Sequence, residues 1–135
     1  MSDSIRAGLE SHLNSLTGHI EIEYENNPFT PEDGVPYMSV FMLRSDTDDL
    51  SISYDDRKRF NGIFQISLRY PTGNGSGGAE TEALRIIEHF KRGTMINKND
   101  IEIRVQQTPS MKNLGIDADR LVVVVRVVYE AYNIV

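Results

Sequence analysis

The residues best spaced to do chemistry are three glycines, Gly73, Gly75 and Gly78, which satisfy the pattern G-x-G-x-x-G between a strand-like and a helix-like stretch. In that setting the backbone N–H groups of a glycine turn and a helix N-terminus cradle a dinucleotide pyrophosphate. Such a site needs a βαβ unit whose second strand ends in an acid roughly 20 residues on, which holds the ribose hydroxyls. Asp100 has about that offset but precedes its strand. The strand before the glycines alternates polar and apolar residues, whereas strands of the dinucleotide fold are usually apolar on both faces. Glu80 and Glu82 occupy the first helical turn, where they suit the helix dipole and repel a phosphate. A P-loop fits no better, because Ala79 and Glu80 stand at its lysine and hydroxyl positions. A nucleotide-binding domain using the Gly73 to Gly78 loop stays as the lesser alternative. The favoured reading is a strand-to-helix connection whose glycines permit positive φ and close backbone approach.

Other constellations are weaker. Asp46 and Asp48 begin like a calcium loop, but Leu50, Ser51 and Arg57 replace its oxygen ligand, glycine and bidentate glutamate. An acidic, irregular, solvated loop from Arg44 to Asp56 is expected instead, with a short strand around Leu50 to Tyr54. His12, His19 and His89 fall in separate elements without metal-binding spacing, which predicts surface or boundary histidines and no metal site. Ser76 lacks the G-x-S-x-G context of a strained nucleophile, since Asn74 stands where the first glycine belongs. The basic triplet Arg57, Lys58 and Arg59 follows Asp55 and Asp56, and local charge pairing is expected. No catalytic residue and no cofactor is assigned.

Composition bounds what these residues serve. A chain of 135 residues is expected to form one domain, residues 1–135, burying roughly two-thirds of its unfolded surface. The absence of cysteine excludes disulfides, thiolate zinc sites and cysteine nucleophiles. A net charge of -6 and a pI near 5.0 oppose tight nucleic-acid binding, which draws on Lys and Arg. No apolar run approaches the roughly 20 residues of a membrane span, and the N-terminus lacks a basic flank before an apolar core, so a soluble, unexported protein is expected.

The elements follow from periodicity. Ile5, Leu9, Leu13 and Leu16 recur on one face and predict a helix from Ser4 to Leu16, with Gly18 ending it. His19 to Glu25 alternates strictly and predicts a half-buried strand. Three prolines make Asn26 to Pro36 a stiffened loop. Strands are expected at Tyr37 to Leu43, at Arg59 to Tyr70 with one packed and one polar face, and at Asp100 to Gln106. A second helix spans Ala79 to Lys91, with Gly93 as its C′ residue. Leu121 to Tyr132 is apolar on both faces, so it is central or doubly covered, and a second subunit could supply the further cover. The order predicts an α+β fold: a mostly antiparallel or mixed sheet of four to five strands with two helices packed on one face.

Three segments together resemble, in order, the tail terminator-like proteins of long-tailed bacteriophages and prophages, a family also described as tail completion or minor tail proteins. They are ENNPFTPEDGVPYMSVFML, FNGIFQISLRYPTGNGSGGAETEALRIIEHFKRG and VVVVRVVYEAY. Pro28, Phe29, Pro31, Gly34, Pro36 and Tyr37, then Gly62, Phe64, Gln65, Ile66, Pro71, Gly73 and Gly75, then Phe90 and Gly93 carry the likeness. It fades from Leu43 to Arg59 and from Gln107 to Asp119.

The resemblance implies a structural virion protein without catalysis. Such a protein assembles into a homo-oligomeric ring, usually a hexamer, in the host cytoplasm. The ring caps the head-proximal end of the tail tube, stops polymerisation and presents a joining surface to the head connector or neck protein. Its partners are thus itself, the tail tube protein and the connector, with DNA passing through the lumen unbound and no membrane or small-molecule substrate. Another neck or head-closure component is the near alternative. Gly62, Gln65, Pro71, Gly73, Gly75, Phe90, Gly93, Val124 and Val128 are the assembly or structural candidates. The final strand and the polar face of Arg59 to Tyr70 are expected to contribute to subunit contacts.

Overall fold

A computed structural model describes residues 2–25, 29–31, 34–49, 58–73, 77–117 and 119–133. Two helices, α1 (Ser2–Asn14) and α2 (Gly77–His89), pack on one face of a mixed sheet. Its strands are β1 (Glu21–Glu23), β2 (Tyr37–Asp49), β3 (Lys58–Pro71), β4 (Met95–Lys98), β5 (Ile101–Val105), β6 (Ser110–Asp117) and β7 (Arg120–Asn133). The α+β class and the single helical face match the sequence expectation, but seven strands replace four to five.

The sheet order is β1-β2-β3-β7-β5-β4, with β6 also on β7. Every pairing is antiparallel except β1 with β2. The long β3–β7 ladder runs without a break from Arg59↔Tyr132 to Pro71↔Arg120. β5 and β6 share the far edge of β7, β5 pairing its last residues and β6 its first. This placement makes β7 central, which accounts for its continuous apolar character.

Alternation then sorts the core. Phe64, Ile66 and Leu68 of β3 and Val123, Val125 and Val127 of β7 point toward the helices and have no exposure. α1 adds Leu9 and Leu13, and α2 adds Ala83 and Ile86, with Phe90 just beyond it. Burial on this scale is the main favourable term of folding, about 25 cal/mol per Å² of apolar surface. On the opposite face Val122 and Val124 are also buried, at 5% and 4% exposure, so the chain covers both faces of β7 there without a second subunit.

The differences from expectation have local causes. β4 was hidden because it is four residues long, yet Asn99 with φ 54° and Asp100 form the two-residue turn that folds β4 onto β5. β6 was hidden because it is half-buried at one residue and exposed at the other seven, so no alternation marks it. Residues 44–49 are not irregular but continue β2, paired to β3 beyond a register shift between Arg44 and Thr47. The short strand expected at Leu50 to Tyr54 lies outside the described residues. Helix α2 ends at His89, two residues before the expected Lys91. Gly93 is therefore not its C′ residue; it turns the chain with φ 90°, and its N–H donates to the Val105 carbonyl at 3.0 Å. Helix α1 begins at Ser2 and stops at Asn14. Ser4 lies within it and accepts a hydrogen bond from Asn99 Nδ2 at 2.9 Å.

Candidate assembly surface

The glycine turn ends β3 and begins α2. Gly73 adopts φ 98° with open space around it, and Gly78 faces the Tyr70 ring. Gly75, Asn74 and Ser76 lie outside the described residues. The βαβ unit that a dinucleotide site requires is not formed here. After α2 the chain enters β4 at the far edge of the sheet, antiparallel to β5, and the alternating β3, β7, β5 and β4 leave β4 antiparallel to β3. Asp100 sits in the exposed β4–β5 turn. Glu82 is not a solvated first-turn acid: it is 5% exposed and bonded by Arg85 at 2.8 Å. Burial and the Glu82 charge hold the Tyr70 hydroxyl above its ordinary range, Arg85 opposing them.

Two of the three histidines, 77 residues apart in sequence, meet at the C-terminal ends of the helices. The rings of His12 and His89 stack at 4.1 Å and 16°. His12 Nε2 lies 2.8 Å from the His89 carbonyl and His89 Nε2 lies 2.5 Å from the His12 carbonyl, so each imidazole donates to the other's backbone. Phe90 lies edge-on to both rings. No local sequence signal pairs these residues; only the helix packing does. Among the described residues no group of three metal-ligating side chains converges.

The remaining candidates divide into packing and surface positions. Gly62 lies opposite Tyr129, and a Cβ there would stand 2.5 Å from the tyrosine hydroxyl and 2.6 Å from the Leu43 carbonyl oxygen. The fully buried Phe90 reaches the Phe64 ring at 6.0 Å, and Pro71 closes the β3–β7 ladder opposite Arg120. These three have places inside the fold. Gln65 instead lies on the helix-free face, where its Oε1 accepts from Arg126 Nε at 3.2 Å. With Val124, Lys112 and Leu114 they line a depression of about 270 Å³. Val128 is half-buried, and its carbonyl accepts from Gln106 N–H at 3.1 Å. Tyr129 is a core residue, while Tyr37 lies under the Arg120 guanidinium and Tyr132 under that of Arg104. Arg59 of the basic triplet forms an ion pair across strands with Glu130 at 3.2 Å. Asp55, Asp56 and Arg57 lie outside the described residues.

Among the described residues the sheet has open edges at both ends. β1 pairs only Tyr37 to Ser39 of β2, leaving residues 40–49 with no further strand among the described residues. At Met42 the outward N–H donates 2.6 Å to Glu25 Oε1, and Arg6 holds the other carboxylate oxygen at 3.1 Å. Nearby, burial raises the Glu10 carboxyl, Arg6 opposing and Glu25 adding to the shift. Burial, with the Glu10 charge, raises the Tyr24 hydroxyl. At the other end of the sheet β6 pairs, among the described residues, with β7 alone and exposes Met111, Leu114 and Ile116 by 38%, 56% and 67%. These edges were not legible in the sequence, because strand order decides which backbone groups stay unpaired. No helix among the described residues is long and apolar enough to cross a membrane.

One solved structure superposes with a TM-score of 0.78, covering 97% of this chain and 95% of its own at 23% identity, a likeness of fold. No curated protein sequence matches the chain. The family model described as phage tail terminator protein matches residues 4–129, from the first turn of α1 to Tyr129 of β7, and the chain belongs to that family.

Proposed function

We propose that this protein forms a homo-oligomeric ring, a hexamer by family resemblance, that caps the head-proximal end of the tail tube. Family membership makes it a structural component of phage tail assembly, and the family match over residues 4–129 is the observation that carries the proposal. The ring stops tube polymerisation and offers its opposite surface to the head connector, without catalysis. It does so as one domain assembled in the host cytoplasm.

The physical features agree with that role. Three large apolar side chains exposed along one strand need cover, and a head-to-tail contact closes into a ring when the rotation between subunits permits. A net charge of -6 disfavours adhesion of DNA to the lumen. The helix-free face around Gln65, Arg126 and Val128 is a further contact region, as is the turn at Gly73 and Gly75. Val124→Asp would place a carboxylate at a position only 4% exposed within the subunit, so it disturbs folding as well as contact. Gln65→Arg, at a half-exposed position, is the cleaner variant.

The test is tube growth. Purified tail tube protein polymerising around its length-setting factors gives tubes whose lengths are read by electron microscopy. Added in excess, this protein should hold the tubes at a uniform length with a ring at one end. Unchanged, open-ended growth contradicts the proposal.

A further inference from the structure

We infer that the outer edge of β2, beyond Ser39, is the docking site for β6 of a second copy, with Glu25 as a removable latch on that edge. The inference deepens the ring proposal and rests on it.

The unpaired N–H and C=O groups of an edge strand are a template for another strand, and proteins ordinarily blunt them. Here the blunting is partial. Backbone alternation turns the N–H groups of Val40, Met42 and Arg44 toward the same outer side, where the parallel pairing of Glu23 with Ser39 already engages that of Val40. Among the described hydrogen bonds on that side, the one at Met42 goes to a side chain, the Glu25 carboxylate. The carboxylate oxygen stands where the carbonyl of an added strand would stand. Arg6, on α1, keeps it there. A latch of this kind satisfies the backbone of the isolated subunit and leaves when a better row of acceptors arrives.

The occupant follows from the opposite edge. β6 is eight residues long, and the part of β2 without a further strand among the described residues, 40 to 49, is ten residues long with a register shift between Arg44 and Thr47, so β6 would span most of it. β4, the other strand at that end, packs against α1. β6 brings the apolar side chains that lack cover, Met111, Leu114 and Ile116, and β2 presents Leu43 at 45% exposure. Pairing β6 with β6 would bury one edge and leave β2 open in both copies. Pairing β6 with β2 is heterologous, uses both edges in every subunit and continues the sheet from copy to copy.

The chain has no cysteine, which makes the contact readable by cross-linking. Leu43→Cys and Leu114→Cys each alter an exposed side chain. With a short bismaleimide, the double variant should give a ladder of covalent oligomers, and an equimolar mixture of the two single variants should give a covalent dimer. Each single variant alone should stay monomeric on a denaturing gel. Cross-linking of either single variant alone would overturn the inference by showing a symmetric contact. Oligomers seen by sedimentation without cross-links would also overturn it and leave the ring proposal standing. A strict monomer in sedimentation would remove both. Glu25→Ala in the double variant should speed ladder formation at least threefold, and an unchanged rate overturns the latch.

Discussion

The helix-covered face of the sheet and its outer edges are built to different degrees of completion. Under the helices Leu9, Leu13, Phe64, Ile86 and Phe90 have no exposure, and even the two helix C-termini are joined by the reciprocal His12–His89 hydrogen bonds. Along β6, by contrast, Ile116 is 67% exposed and, among the described residues, the strand has a partner on one side only. The same chain that excludes water from its core leaves a row of apolar side chains and backbone groups unfinished at its rim. On the assembly proposed above, stability belongs to the first region and association to the second, so substitutions in the two should separate cleanly.

The largest effect is expected in the core. Phe90→Ala removes a buried ring touching His12, His89 and Phe64, and should cost about 3–5 kcal/mol in urea denaturation. A cost below 1 kcal/mol would show that the helix layer is not the stabilising region. Gly62→Ala comes next, at about 1–3 kcal/mol from overpacking against Tyr129 and Leu43. Adding Tyr129→Phe should restore only part of it, because the Leu43 carbonyl oxygen still lies 2.6 Å from the new Cβ.

The histidine contact predicts a smaller, pH-dependent effect. Burial lowers the His12 imidazole from its ordinary 6.5, the bond to the His89 carbonyl opposing this and the His89 charge adding to it. The unfolded chain therefore binds the proton first, and stability rises with pH across that window. The contribution is present above about 6.5 and is lost as pH falls through the lower folded value. Denaturation midpoints should drop from pH 7.5 to 5.5, and His12→Asn should flatten the slope; an unchanged slope would assign it elsewhere. Smallest in stability is Ile116→Asp, within about 0.5 kcal/mol because the site is exposed. The same variant should lose association in sedimentation velocity. Equal loss of stability and association would erase the distinction between core and rim.

Much of the core was legible in the sequence, because burial leaves a period. Leu9 and Leu13 on α1, Phe64, Ile66 and Leu68 on β3, and the continuous run on β7 all declared themselves by spacing. The rim did not, and the reason is physical. β6 is exposed along nearly its whole length, so nothing in its side chains alternates. The Glu25–Met42 bond and the His12–His89 stack join residues 17 and 77 positions apart, set by strand order and helix packing. The glycine turn gave a clear pattern with the wrong surroundings. Its meaning came from the antiparallel path that follows it and from the buried Glu82.

The most direct test of the account is electron microscopy of the purified protein across a concentration series. The account predicts closed rings of uniform subunit number that replace free subunits as concentration rises. A monomer persisting at the highest soluble concentration, with or without tail tubes, would contradict it.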